Sequence, residues 1–90
     1  MPHSEYFGKY KIFFWSNENG EPVHVHVSYR KSPKCNSKIM ITSDGKCFVK
    51  HNKLRIPSKD LKLILLFIES HHDEIESEWL KHLGYIKYEF

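Results

Sequence analysis

The segment Pro22–Val27 constrains the fold of this chain more than any other stretch of its 90 residues. It alternates valine with histidine, and a period of two is typical of a β-strand with one buried face. Because successive side chains of a strand point to opposite sides, the three valines are expected to face a core. His24 and His26 then share the other side, about 7 Å apart along the strand. The segment therefore predicts a strand that carries a pair of neighbouring imidazoles.

Length and composition are those of one small domain, spanning residues 1–90. The chain is 40% hydrophobic and 14% aromatic, which is enough for a core. A chain this short buries only about 60–65% of the surface that its unfolded form exposes, so we expect a marginally stable fold or one stabilised by a partner. There is no apolar run of 18 residues and no signal-like start, so we expect a cytoplasmic protein without a membrane span. Cys35 and Cys47 fit no zinc-site spacing and are interpreted as reduced thiols.

Charge is distributed unevenly, although the net charge is only +3. Segment 30–62 contains ten basic residues, opposed only by Asp44 and Asp60, whereas segment 69–78 contains five acidic ones. A basic region beside an acidic helix predicts a nucleic-acid ligand or an acidic partner. The alternative is a solvated surface whose charges compensate one another.

Turn and alternation signals predict two β-hairpins. The first turn is the polar stretch that ends at Pro22, and the second is Ser43-Asp44-Gly45, since Asp-Gly is a strong hairpin signal. The predicted strands occupy about residues 6–15, 23–30, 38–42 and 46–51.

A helix is predicted over residues 58–83, where apolar residues follow three-four spacing. Ser58 is expected as its N-cap and Gly84 as its stop, with a break near residues 70–72. The tail 85–90 is interpreted as an edge strand, a partner-binding strand or a frayed end. The predicted fold class is therefore α+β: a four-stranded antiparallel sheet packed by a C-terminal helix or kinked helix pair, in a two-layer sandwich.

The first half of the helix is apolar nearly all round, because Leu63, Leu66 and Phe67 lie off its main stripe. Such a helix is expected to be covered on two sides. A homodimer or a small cognate partner protein would cover the second side.

Several segments resemble an uncharacterised bacterial family, domain of unknown function 4160. In that family a strand ending in aromatics runs into Ser-Asn-Glu, a short turn and a His-x-His-Val motif. The segments that carry the resemblance are Phe13–Glu18, Glu21–Val27, Lys38–Lys50, Ile56–Leu61 and Asp73–Trp79, and the likeness covers about residues 6–84. Two positions depart from the pattern: Val23 replaces a second proline, and Asn19-Gly20 replaces a turn histidine that many members have.

The resemblance implies no settled activity. Members of the family often stand beside other very small proteins, in gene pairs like those of toxin–antitoxin modules. Together with the small size, the apolar helix and the uneven charge, this makes a toxin–antitoxin-like interaction module that works through a protein partner the leading interpretation. If the turn histidine is a metal ligand in other members, this chain lacks it.

The histidine pair leaves three interpretations open. Both imidazoles could bind one divalent ion such as zinc, with Glu18, His51 or His72 as the third ligand. Without a metal, the pair could act as acid and base on a phosphodiester, which would make the protein a small nuclease. The structural alternative is hydrogen bonding to Asn17, to Glu18 or to a residue of the helix, which would stabilise the end of the hairpin.

A nucleic-acid-binding module is a further alternative, using the basic strands to bind RNA or DNA. An exposed Trp15 could stack a base, with Arg30 and Lys50 supplying positive charge. Asn17 and Glu18 are further candidates for binding, although such residues more often form turns.

Overall fold

A single antiparallel sheet of five strands follows the order of the chain and is succeeded by two helices. The computed structural model describes residues 3–15 and 20–89. The elements are β1 (His3–Phe7), β2 (Tyr10–Phe14), β3 (His24–Tyr29), β4 (Ser32–Ile41), β5 (Cys47–His51), α1 (Ser58–Ser70) and α2 (His72–Leu83). The α+β class and the antiparallel sheet are confirmed, whereas the predicted number of four strands is wrong.

The fifth strand arises because the predicted strand 6–15 is two strands. Gly8 has a φ of +59°, in the left-handed region that glycine adopts at little cost. A glycine at the first central position of a two-residue turn is typical of a tight hairpin. The chain therefore reverses at Gly8-Lys9, and the paired residues run from Phe7 opposite Tyr10 to His3 opposite Phe14.

Strand β4 begins at Ser32, in a segment predicted to be a loop because it contains Pro33. In the ladder, β5 pairs with residues 38–41 of β4. Pro33 lies between Ser32 and Ser37, in the stretch where the pairing of β4 with β3 shifts register. A proline, which has no N–H to donate, is tolerated at such a bulge.

The core lies between the helices and one face of the sheet. Val25 and Val27 are fully buried in it, as their alternation with histidine predicts. The other main contributors are Ile12, Phe14, Ile39, Ile41, Ile64, Ile68, Ile75 and Trp79. The valine side of β3 is therefore fixed against the helices, which directs its histidines to the other side.

The break between the helices falls at His71, which confirms the kinked pair. Two side chains compete for one helical carbonyl there: Ser70 Oγ donates to the Phe67 oxygen at 2.8 Å, and His71 Nδ1 lies 2.8 Å from the same oxygen. Such bonds draw the carbonyl away from the helical ladder. Gly84, with a φ of +77°, ends α2 as predicted. The N-cap of α1 is Pro57 rather than Ser58, and no side chain caps it.

The tail 85–89 forms no regular strand but lies against the start of β3. The Val23 N–H donates to the Lys87 carbonyl at 2.8 Å, and the Tyr85 hydroxyl donates to the Glu21 carbonyl at 3.1 Å. Cys35 and Cys47 are both free thiols. In the described part of the chain neither helix has the length and apolarity needed to cross a membrane.

Candidate functional site

The sheet face opposite the core brings together histidines, aromatic rings and cations. Directly paired residues share a face, so His26 lies beside Phe13 of β2 and Lys38 of β4. Tyr6 joins this face because it pairs with Lys11. We call this surface the histidine face; it consists of Tyr6, Lys11, Phe13, Trp15, His24, His26, Arg30, Lys38 and His51.

Each of the two histidine rings of β3 is held by a hydrogen bond at Nδ1. Their centroids lie 5.0 Å apart and the rings are nearly perpendicular. His24 Nδ1 lies 2.8 Å from the Pro22 carbonyl oxygen, and His26 Nδ1 lies 3.1 Å from Asn36 Oδ1. Both oxygens accept hydrogen bonds, so each Nδ1 donates. Each ring therefore has a fixed orientation, as the rings of metal-binding and proton-transferring histidines do.

His24 and His26 differ in burial. The pairing of β2 with β3 ends at Phe13 and His26. Beyond that point Trp79 contacts Phe14 and His24, with ring centroids 5.0 and 5.1 Å away. His24 is 0% exposed, whereas His26 is half-buried, so only His26 of the pair reaches the surface. A buried His24 is better suited to positioning His26 than to contacting a large ligand.

The third metal ligand stays a prediction. Glu18 and Asn17 lie outside the described residues. The pKa of His51 is lowered, mainly by burial. The charges of Lys53, Lys38 and His26 contribute as well, so His26 lies near His51. Among the described residues, the group of three whose ligand atoms all lie within 4.8 Å of one another is His72, Asp73 and Glu76. His72 therefore joins a different cluster, on α2.

Exposed aromatic rings stand at two places on the histidine face. Trp15 is 44% exposed and Tyr6 is 53% exposed. Phe13 is buried between them, with the Trp15 ring 5.2 Å away and the Lys11 Nζ 5.6 Å from its own ring. Along β2, Trp15 lies four residues from Lys11, the partner of Tyr6, which is about 14 Å of strand. The face thus offers two separated rings with a cation between them.

Two of the predicted binding residues have different electrostatic surroundings. Arg30 stacks on the Tyr6 ring at 4.4 Å and donates to the Gly8 carbonyl at 3.3 Å. Lys50 lies 2.6 Å from the Glu89 carboxylate, so its charge is compensated. Lys38 is likewise paired with Glu21 at 2.7 Å. Arg30 therefore remains the stronger candidate for an anionic ligand.

The charge segments seen in the sequence do not form one basic and one acidic patch. Arg30 and Lys31 stand at the β3–β4 turn, whereas Lys46 stands at the β4–β5 turn, at the opposite end of the sheet. Acidic residues line an open cavity of about 640 Å³ between β1 and the helix junction. Its lining includes Glu5, His71, Asp73, Glu74 and Glu78. Only part of the basic segment therefore belongs to the histidine face.

Sequence reasoning missed Tyr6 and Lys11 as members of the site. Lys11 alternates with Phe13 and Trp15 along the chain, so this local alternation alone predicts that the three side chains share a face. The face on which Tyr6 lies could not be predicted in this way, because it depends on the turn at Gly8. A glycine followed by lysine within an alternating run is the signal that could have revealed the turn.

Comparison with known proteins identifies the family of this chain. A model of the family described as Domain of unknown function (DUF4160) matches residues 10–80. A search of curated proteins and a search of solved structures each gave no significant match. The matched segment runs from the start of β2 into α2, so it contains the histidine pair, Trp15 and the helix break. Since the match covers most of the chain, the protein belongs to the DUF4160 family.

Proposed function

We propose that this protein is a cytoplasmic binding module for single-stranded nucleic acid and that the histidine face is its binding surface. The observation that carries the proposal is the pair of exposed rings, Trp15 and Tyr6, on a sheet face whose Lys11 and Arg30 have no carboxylate partner among the described residues. Unpaired bases stack on such rings, while cations neutralise the phosphates.

Single strands fit this surface better than duplexes. A duplex keeps its bases stacked inside the helix, whereas a single strand can turn its bases onto aromatic side chains. The helices cover the opposite face of the sheet, so a single-stranded nucleic acid can lie on the histidine face. Stacking on one aromatic ring contributes about 1–3 kcal/mol per base, so two rings and two cations suffice for measurable affinity.

The test is binding of fluorescein-labelled oligouridine and oligothymidine to the wild-type chain, measured by anisotropy. We expect Trp15→Ala to raise the Kd at least about fivefold, because one stacked base is lost. Trp15→Phe should retain most of the affinity. Lys11→Ala should weaken binding and reduce the slope of log K against log salt by about 0.7, the value for one phosphate contact on a single strand.

Matched controls lie on the helix side of the molecule. Lys59→Ala removes an exposed charge from α1, and Leu80→Ala removes an exposed apolar side chain from α2; both should bind as the wild type does. Because Trp79 is buried, quenching of exposed tryptophan emission reports stacking on Trp15 directly. Equal affinity of folded Trp15→Ala and wild type, or equal binding of a duplex, would overturn the proposal.

A second candidate function is the toxin–antitoxin-like interaction module, favoured by the outer side of α1. Leu63 and Leu66 are 46% and 54% exposed there, although both are large apolar residues. A contiguous apolar surface is typical of protein–protein contacts. The two functions use opposite faces of the molecule, so one chain could hold a nucleic acid and a protein partner together.

A further inference from the structure

The outer side of α1 has an apolar centre between charges of opposite sign. Residues three, four or seven apart lie on the same side of a helix, and here that side is opposite the buried Ile64 and Ile68. We call this surface the α1 face; it consists of Lys59, Lys62, Leu63, Leu66, Glu69 and Ser70. Its two leucines are about half exposed. Both cations precede the leucines and the carboxylate follows them, so the charge changes sign along the face.

The acidic end of the α1 face continues onto α2. Ser70, the last residue of α1, lines an open cavity together with Asp73 and Glu74, which are both exposed. In the described part of the chain no lysine or arginine forms an ion pair with these two carboxylates. Lys59 and Lys62, at the other end, make no ion pair with any described residue either. Neither end of the face is therefore compensated within a single chain.

A surface with this order of charges is complementary to a second copy of itself. In the commonest homodimers a two-fold axis brings the same patch of both subunits together. With two α1 helices antiparallel about an axis at Leu66, positions equally far from Leu66 face each other. Lys59 precedes Leu66 by seven residues and Asp73 follows it by seven, so the basic end of each copy meets the acidic end of the other. Parallel helices would bring the lysines of both copies together, and like charges at an interface repel.

We propose that the α1 face binds a second copy of this chain, with the two α1 helices antiparallel about a two-fold axis near Leu66. The occupant is a second copy because the face itself supplies both halves of the charge complementarity. Helix α1 has 13 residues and is about 20 Å long, so the contact is smaller than a standard interface of about 800 Å² per partner. Dimerisation is therefore weak and depends on concentration. The histidine face lies on the other side of the sheet, so this contact does not depend on nucleic-acid binding.

The experiment is sedimentation equilibrium at low salt on the wild type and two charge-reversal variants. Lys59→Glu/Lys62→Glu makes both ends of the face acidic, whereas Asp73→Lys/Glu74→Lys makes both ends basic. We expect each variant alone to raise the Kd of the dimer at least about tenfold, because like charges then meet. An equimolar mixture of the two variants should form a heterodimer with about the wild-type Kd, because opposite charges meet again. This recovery also shows that both variants are folded.

The matched control is Lys31→Glu/Lys53→Glu, which changes the net charge as Lys59→Glu/Lys62→Glu does but lies outside the α1 face. Both control residues are exposed, one in the β3–β4 turn and the other after β5. The control variant should dimerise as the wild type does. A wild type that is monomeric at every concentration would leave the face to a different protein and overturn the inference. A dimer that tolerates both reversals, as a parallel one would, or a mixture that does not recover the wild-type Kd, would overturn it as well.

Discussion

Each histidine of the β3 pair has its own environment, although a single valine separates them. His24 is enclosed beside Trp79, whereas His26 is half-buried beside Phe13. Alternation along β3 correctly placed both rings on one side. It could not show their burial, because burial depends on where β2 and β3 separate and on which side chain fills the gap. Trp79, from the other end of the chain, fills it, and its Nε1 is buried without a hydrogen-bond partner in the described part of the chain.

At the same scale, His51 is expected to make stability depend on pH. Burial, with the charges of Lys53 and Lys38, lowers the pKa of His51 below its usual value near 6.5. The unfolded chain then binds this proton more readily than the folded one. The free energy of unfolding therefore falls as the pH drops through 6.5 towards the lower folded pKa. Urea unfolding at pH 7.5 and 5.5 should show a smaller loss for His51→Gln than for wild type.

The control for this prediction is His82→Gln, which changes an exposed histidine of α2. It should lose as much stability between pH 7.5 and 5.5 as the wild type does. A His51→Gln variant with the wild-type pH dependence would show that His51 does not carry the effect.

At the scale of elements, tight turns decide the sheet. The turn at Asp44-Gly45 was predictable from its dipeptide, and Gly45 indeed has a φ of +82°. The turn at Gly8-Lys9 was not predicted, because the alternating run from Tyr6 to Trp15 conceals it. The expected single strand therefore became a hairpin and added one strand to the sheet.

Two of these glycines differ in what surrounds them, which predicts different costs of substitution. Both φ values are positive, so alanine at either position should cost about 1–2 kcal/mol of stability. A Cβ on Gly8 would meet nothing within 4 Å, whereas a Cβ on Gly45 would lie 2.9 Å from His72 Nε2. The His72 ring is held by Glu76 at 3.0 Å, so moving it has a further cost. Urea unfolding should show Gly45→Ala to be the more destabilised.

A double-mutant cycle isolates this contact. In a His72→Ala background the extra loss from Gly45→Ala should vanish, since there is no ring to displace. An equal loss from Gly8→Ala and Gly45→Ala in the wild-type background would contradict the prediction.

At the scale of the whole molecule, the two layers present different surfaces. The sheet side offers rings and cations, and the helix side offers the exposed Leu63 and Leu66 of α1. Three-four spacing had already shown that α1 is apolar beyond its core-facing stripe. The structure adds that these leucines remain exposed in the single chain, because Ile64 and Ile68 are the residues that face the sheet.

This surface predicts self-association through α1. Wild type should behave as a dimer in size-exclusion chromatography with light scattering, because association removes Leu63 and Leu66 from water. Leu63→Glu/Leu66→Glu should be a folded monomer. Tyr6→Glu, on the opposite face and equally exposed, should remain a dimer. A wild-type chain that is monomeric at every concentration would contradict this prediction.

The sequence by itself determined the local periodicities: which side of β3 faces the core, where the helix is interrupted and that Gly84 ends it. These features depend on backbone geometry and on neighbours within a few residues. The tertiary structure alone decided that Tyr6, Trp15 and Arg30 share a surface, that Lys50 is neutralised by Glu89 and that His24 is buried. These features depend on contacts between residues far apart in the chain, as Lys50 and Glu89 are. No local pattern encodes such contacts, because strand register and helix docking set them only when the whole core forms.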